Sequence, residues 1–84
     1  MKLYHISQNE VRGYDTYSDM VVCAESEDEA RKIHPSPWAP EGENPWSYRW
    51  SGWATSPDNV EVTYLGEAAD SVEKGVICAS FHAG

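Results

Sequence analysis

The chain has 84 residues, and its 14 acidic and 6 basic side chains give a net charge of −8. A chain of this length holds one hydrophobic core, so residues 1–84 are expected to form a single domain. The charge argues against nonspecific binding to DNA or RNA backbones, which requires clustered Lys and Arg. Hydrophobic residues make up 40% and aromatic residues 12% of the chain, which is too much for a disordered protein.

Two β-strands are expected in the N-terminal part of the chain. Residues 2–7 are a short run with β propensity, and the polar residues 8–18 predict a long turn. Residues 20–24 are continuously apolar, a pattern typical of a strand that is covered on both faces.

A helix is predicted directly after the second strand. Ser26 and Glu29 form an S-x-x-E capping box, which places the helix start at Glu27. Acidic residues occupy its first turn and basic residues follow, an order that favours the helix dipole, and Pro35 ends the segment. By helical spacing, the inward-facing residues are Ala30 and Ile33.

Residues 35–57 form an insert that is rich in tryptophan and proline. Asn44 and Pro45 match the start of a second short helix, and Gly52 matches its end. A helix over residues 45–51 would place three tryptophans on one face, namely Trp46, Trp50 and Trp53. Such a face either packs into the core or meets a partner, and the sequence leaves both open.

Two further strands are expected after the insert. Val60, Val62 and Tyr64 alternate with other residues in the pattern of a half-buried strand, which Gly66 ends. Residues 76–81 are apolar on both faces, which predicts a strand inside the sheet, after a turn at Lys74 and Gly75. The predicted fold is therefore α+β, with a small sheet of about four strands, one main helix and the order β-β-α-insert-β-β.

The cysteines and histidines give no pattern typical of a metal site. Cys23 and Cys78 lie in apolar runs and are expected to be buried free thiols, because a disulfide between them would require neighbouring strands with suitable Cβ directions. None of the three histidines, His5, His34 and His82, has a partner at ligand spacing. His34 is expected to place a favourable charge at the helix end.

No catalytic motif is present, so we expect a protein that is not an enzyme and holds no cofactor. The sequence contains no G-x-S-x-G elbow and neither of the glycine-rich phosphate loops. Acid–base chemistry through Asp15, Asp19 or Glu67 stays open. The N-terminus does not match a signal peptide and no apolar run approaches a membrane span, so a cytoplasmic protein is expected.

Two groups of side chains are candidates for binding. The predicted loop at residues 13–17 offers two tyrosines, and Arg49 lies between Tyr48 and Trp50, where a guanidinium can stack on a ring or bind an anion. Tyr, Trp and Arg are enriched at interface hot spots, but ordinary packing explains them equally well. The candidate binding residues are Tyr14, Asp15, Tyr17, Trp38, Trp46, Tyr48, Arg49, Trp50 and Trp53.

Several segments together resemble a group of short proteins from phage and bacterial genomes. They are M-K-L-Y-H-I-S-Q, G-Y-D-T-Y, V-V-C-A-E-S-E-D-E-A-R-K-I-H-P, V-E-V-T-Y-L-G-E-A and A-S-F-H-A-G, and they cover most of the chain outside residues 36–57. The resemblance implies a phage or prophage setting, and hence the cytoplasm of a bacterial host, but assigns no functional residue. Small acidic phage proteins of this kind are similar to anti-CRISPR and other anti-defence proteins, which block a host protein or sequester a nucleotide signal.

Four functions follow as hypotheses. The first is a non-catalytic protein that inhibits a host factor by covering a basic surface with its acidic residues. The second is a protein that sequesters a nucleotide-like small molecule, with aromatic rings stacking on a base and Arg49, Arg12 or Lys32 contacting phosphate. The third is a small enzyme, and the fourth is a structural or accessory protein with no role in defence. A homodimer is also expected, because so small a core and the several aromatic residues of the insert leave apolar surface that a monomer would expose.

Overall fold

The structure, a computed structural model, describes residues 1–11, 13, 15–35, 46 and 52–82. Along these residues run strands β1 (Lys2–Gln8) and β2 (Thr16–Ala24), helix α1 (Glu27–Arg31), a 3-10 turn (Pro57–Asn59), and strands β3 (Val60–Glu67) and β4 (Gly75–His82). The four strands form one antiparallel sheet in the order β3-β1-β2-β4. The expectation of a small α+β fold is confirmed.

The hairpin of β1 and β2 forms the centre of the sheet. Both strands are longer than predicted, since β1 extends to Gln8 and β2 begins at Thr16, which shortens the turn between them. Strand β2 is interior, and Met20, Val22 and Ala24 are buried on one of its faces. On the other face Cys23 is buried but Val21 is only half-buried, so the expected cover on both faces is present in part.

One face of the sheet carries the hydrophobic core. Because side chains alternate along a strand, every second residue of β1, and of β2 from Met20 onward, points to this face, where α1 and the segment after Gly52 pack. An irregularity between Tyr17 and Asp19 brings Tyr17 to the same face. The core consists of Tyr4, Ile6, Tyr17, Met20, Val22, Ala24, Ala30, Trp53, Ala54 and Val60. Ile33, Trp46 and Val62 pack against it. Ala30 and Ile33 therefore face inward from the helix segment as expected.

Helix α1 begins at Glu27, as the sequence predicts. The Ser26 hydroxyl accepts a hydrogen bond from the backbone N–H of Glu29 at 3.2 Å, which caps the first turn. The Glu29 carboxylate accepts from the backbone N–H of Glu25 at 3.2 Å, so the return bond of the capping box reaches one residue further back. The helix ends at Arg31, earlier than Pro35 alone would require.

Strand β4 forms where predicted, but its expected place inside the sheet is wrong. It pairs with β2 at the edge of the sheet, and Val76, Ile77 and Phe81 are 41%, 48% and 38% exposed. An apolar sequence on both faces of a strand does not determine whether the strand lies inside the sheet or at its edge. The prediction assumed that the apolar surface of β4 is covered within one chain.

Strand β3 continues past the predicted end at Gly66. It runs to Glu67, because a bulge at Leu65 shifts the register between the pairs Tyr4–Tyr64 and Leu3–Gly66. Gly66 has a φ of 145°, a backbone conformation that glycine adopts readily. A glycine that looked like a stop signal is thus part of a bulge.

Candidate binding surfaces

Four of the nine candidate binding residues fall in the described part of the chain. They are Asp15, Tyr17, Trp46 and Trp53. The other five lie outside the described residues, namely Tyr14, Trp38, Tyr48, Arg49 and Trp50. The predicted second helix over residues 45–51 also lies outside them, except for Trp46.

Trp53 and Tyr17 are both part of the core. Trp53 is 2% exposed, and its indole N–H is buried with no hydrogen-bond acceptor among the described residues. Tyr17 is 8% exposed and packs against Phe81, with ring centroids 4.8 Å apart. The expectation that Tyr17 lies on a surface loop is wrong, because β2 begins one residue earlier and turns its ring inward. These two rings offer a partner very little surface.

The segment that leads into Trp53 is held against the β1–β2 turn. The backbone N–H of Tyr17 donates to the carbonyl of Gly52 at 2.8 Å. Gly52 has a φ of +72°, and a Cβ there would lie 2.5 Å from the carbonyl oxygen of Asp15. Glycine is needed at this position because the two backbones approach so closely. Asp15 itself is exposed, with a φ of 59°.

Gln8 organises the β1–β2 turn from the inside. Its amide nitrogen donates to the carbonyls of Val11 and Tyr17 at 2.6 and 2.8 Å. Its amide oxygen accepts from the backbone N–H groups of Glu10 and Val11 at 2.9 and 2.8 Å. The side chain is nearly buried, and these four bonds satisfy it fully. Its role is structural, and nothing in the sequence around Gln8 predicted it.

Glu10 connects the turn to the segment before β3. Its carboxylate accepts from the backbone N–H of Thr55 at 2.9 Å and from the Asn59 side-chain amide at 2.7 Å. The hydrogen bonds from Thr55, and then that from Asn59, lower the pKa of Glu10, because they favour the charged form. One acidic residue of the surface is thus committed to holding the fold.

Trp46 is half-buried at the end of the helix segment. Its ring meets His34 edge-on, with centroids 4.9 Å apart, and its indole N–H points to the carbonyl of Lys32 at 3.4 Å. Burial lowers the pKa of His34 to about 4, so this histidine is neutral at pH 7. The expected favourable charge at the helix end is therefore wrong, since the ring packs beneath Trp46 rather than facing solvent.

The second face of the sheet is open over most of its area in the described structure. On it, the His5 ring lies 2.8 Å from the Asp19 carboxylate, which also accepts from the Ser18 hydroxyl at 2.8 Å. Beside them is a shallow depression, lined by Asp19, Met20, Val21, Cys78, Ala79 and Ser80. His5 is therefore a strand residue paired with an acidic side chain of the neighbouring strand.

The two cysteines differ in their surroundings. Both are free thiols, as expected, on the neighbouring strands β2 and β4. Cys23 is buried, with its sulfur 3.9 Å from that of Met1. Cys78 is exposed, which overturns the expectation of burial, because β4 lies at the edge of the sheet.

Acidic side chains gather at the end of the sheet where β2 and β3 finish and β4 starts. Residues 25–29 and 67–73 meet there, joined by the Lys74 ammonium and the Glu29 carboxylate at 3.2 Å. The hydrogen bond from Glu25 N–H, followed by the contact with Lys74, lowers the pKa of Glu29. We call these two segments the acidic end; its other carboxylates are Glu25, Glu27, Asp28, Glu67, Asp70 and Glu73, all exposed.

Among the described residues, no group of three or more His, Cys, Asp or Glu side chains is arranged to hold a metal ion. None of the helical segments in the described ranges has the length and apolar character needed to cross a membrane. No protein-family model, curated protein or solved structure matches the chain.

Proposed function

We propose that this chain is a non-catalytic phage or prophage protein that inhibits a host defence factor by covering a basic surface on it. The observation that supports this most strongly is the acidic end. Two segments far apart in sequence bring seven carboxylates to one end of the sheet, where the N-terminal ammonium, Lys2 beside Glu67, Lys32 and Lys74 offset only part of their charge among the described residues. Such a surface attracts a basic partner and repels acidic ones.

The acidic end lies partly on secondary structure. Glu27, Asp28 and Glu29 belong to the capped helix and Glu67 ends β3, whereas Glu25, Asp70 and Glu73 lie in the connections beside these elements. The described lysine partners there are exposed: Lys32 lies 3.1 Å from Asp28 and Lys74 lies 3.2 Å from Glu29, contacts that a partner's Arg or Lys could replace.

The tryptophan insert, residues 35–57, is proposed to supply the apolar centre of the same contact. Trp53 anchors its end in the core and Trp46 packs at its border. That arrangement leaves Trp38, Tyr48, Arg49 and Trp50 as the candidates to meet the partner.

Binding of a nucleotide-like small molecule is less well supported. Tyr17 and Trp53 are too deeply buried to stack on a base. Lys32, one of the three proposed phosphate contacts, lies beside Asp28 within the acidic end, where the surrounding carboxylates would repel a phosphate. Phosphate binding would then depend on Arg12 and Arg49, which lie outside the described residues. The net charge of −8 also disfavours a phosphate ligand.

The test combines partner capture with charge reversal. The tagged protein would be expressed in a bacterial host that carries a defence system, and the retained host protein identified and titrated. Reversing two carboxylates of the acidic end, Asp70→Lys with Glu73→Lys, should weaken binding by about tenfold at low salt, mainly through slower association. The same double reversal away from that end, Asp58→Lys with Glu61→Lys, is the charge-matched control and should have a much smaller effect.

Phage plating on the same host supplies the functional readout. The wild-type protein should restore plating against the defence system, and the Asp70→Lys, Glu73→Lys variant should do so less well while keeping its melting temperature. Equal loss in both double variants would show that only total charge matters. Absence of any retained host protein, together with unchanged plating, would contradict the proposal.

A further inference from the structure

We propose that the outer edge of β4 pairs antiparallel with β4 of a second copy of this chain, so that two four-stranded sheets join into one. Composition alone led to the expectation of a dimer and pointed to the insert. The structure assigns the contact to a different element, a strand at the edge of the sheet. The inference does not depend on the proposed host partner.

The first reason is that β4 is an edge strand with no charged residue or proline to discourage pairing. An edge strand presents a row of unpaired backbone N–H and C=O groups, and proteins usually protect it with Lys, Pro, inward charges or bulges. β4 has the sequence GVICASFH, with no Lys, Arg, Asp, Glu or Pro. It has one bulge near its start, at Ile77, and from Cys78 to Ser80 and again at Phe81 and His82 it follows β2 residue by residue.

The second reason is the apolar surface that β4 leaves in contact with water. Ile77 is 48% exposed, Val76 is 41% exposed and Phe81 is 38% exposed. Burying these side chains against the same residues of another copy would remove apolar area from water on both faces of the joined sheet. Backbone pairing gives the contact its geometry, and these side chains give it favourable free energy.

The opposite edge of the sheet shows what protection looks like in this chain. Strand β3 carries Glu61 and Glu67, and a bulge at Leu65 interrupts its register. Two copies that met along β3 would bring carboxylates together, which is unfavourable. Leu65 is 53% exposed, so exposure alone does not distinguish the two edges. The absence of charge does.

The charge distribution is consistent with a contact between two copies at this edge. Molecules with a net charge of −8 repel each other, so a self-contact must lie where carboxylates are absent. In an antiparallel two-fold pairing, the start of one β4 lies beside the end of the other. Glu73 and Lys74 directly precede β4. The pair from one copy would therefore lie at one end of the contact and the pair from the other copy at the opposite end, so the two Glu73 carboxylates would not face each other.

The pairing of single strands buries little area, so the dimer should be weak. Its area would fall near or below the lower bound of stable interfaces, roughly 1,200 Å² in total, and it should dissociate on dilution through the micromolar range. Raising the salt concentration to about 0.5 M screens the repulsion between two acidic chains and should therefore strengthen the dimer. A contact between acidic and basic proteins responds in the opposite direction.

Sedimentation velocity with two matched variants tests the assignment. The wild type should shift from monomer to dimer between low and high micromolar concentration. Ile77→Lys places a charge on the β4 edge and should remain monomeric at all concentrations. Leu65→Lys makes the same charge change at an equally exposed site on β3 and should dimerise at least as well as the wild type. A monomeric wild type at high micromolar concentration would overturn the proposal, as would an Ile77→Lys variant that still dimerises.

Hydrogen exchange of the unmodified chain provides a test that no substitution can disturb. Backbone amides of β4 that point away from β2 should exchange more slowly as protein concentration rises, whereas β3 amides should not change. Slower exchange in β3 or elsewhere, with β4 unaffected, would place the contact on another surface and refute the assignment to β4.

Discussion

Truncation of Trp53 should remove a large part of the stability of this domain. Its side chain is 2% exposed and is the largest of the fully buried side chains in the described structure. Replacing such a ring by alanine costs about 3–5 kcal/mol, because the transfer free energy is lost and a cavity remains. Domains have a free energy of unfolding of roughly 0.05–0.15 kcal/mol per residue, so the loss approaches the lower limit for a chain of 84 residues.

The assay is thermal and urea denaturation followed by far-UV circular dichroism, which does not depend on tryptophan fluorescence. For domains of this size, 1 kcal/mol shifts the melting temperature by about 4–8 °C, so Trp53→Ala should melt at least 12 °C lower, roughly, or be unfolded. Trp46→Ala is the comparison within the same segment. Trp46 is half-buried and should cost about 1 kcal/mol.

A second control separates the packing of the Trp53 ring from the cost of its buried, unsatisfied indole N–H. Trp53→Phe keeps an aromatic ring in the core but removes an indole N–H that has no acceptor among the described residues. Its cost should be about 1–2 kcal/mol, below that of alanine, because an unsatisfied polar group disappears with the lost volume. The reasoning would be refuted if Trp53→Ala were no more destabilising than Trp46→Ala.

Two other predictions concern the helix segment. Ser26→Ala should lower the free energy of unfolding by about 1 kcal/mol, because the hydroxyl that caps the Glu29 N–H is lost, and an unchanged urea midpoint would show that the cap contributes nothing. Burial lowers the pKa of His34 from 6.5 to about 4, so below pH 6.5 the unfolded chain binds the proton first and stability falls as the pH drops towards 4. His34→Gln should flatten this part of a curve of unfolding free energy against pH, whereas an equally steep curve would exclude His34 as the cause.

The features predicted correctly from the sequence depend on nearby residues. The helix start at Glu27 follows from a cap and a carboxylate three residues apart, and both contacts form within one turn. The alternation of Val60 and Val62 likewise follows from the period of a strand with one buried face. Local patterns of this kind are readable because the responsible physics involves neighbours in the chain.

The features that were predicted wrongly depend on distant residues. The place of β4 at the edge is set by which strand β2 accepts as a neighbour, and no pattern within residues 75–82 encodes it. The burial of Tyr17 follows from its contact with Phe81, and the neutral state of His34 follows from burial beside Trp46. The close approach of Gly52 to Asp15 is a further long-range contact, and an isolated glycine gives no sign of it.

The two proposed contacts together constrain the stoichiometry of a complex. The acidic end lies where β4 starts, and antiparallel pairing of two β4 strands turns the acidic ends of the copies in opposite directions. A dimer could therefore hold two partner molecules that do not touch, giving a 2:2 complex at high concentration and a 1:1 complex after dilution. Because salt strengthens the dimer and weakens the acidic contact, raising the salt concentration should release the partner while the dimer persists. Native mass spectrometry distinguishes these species by mass. If rising salt separated the two copies of this chain while each kept its partner, the arrangement would be contradicted.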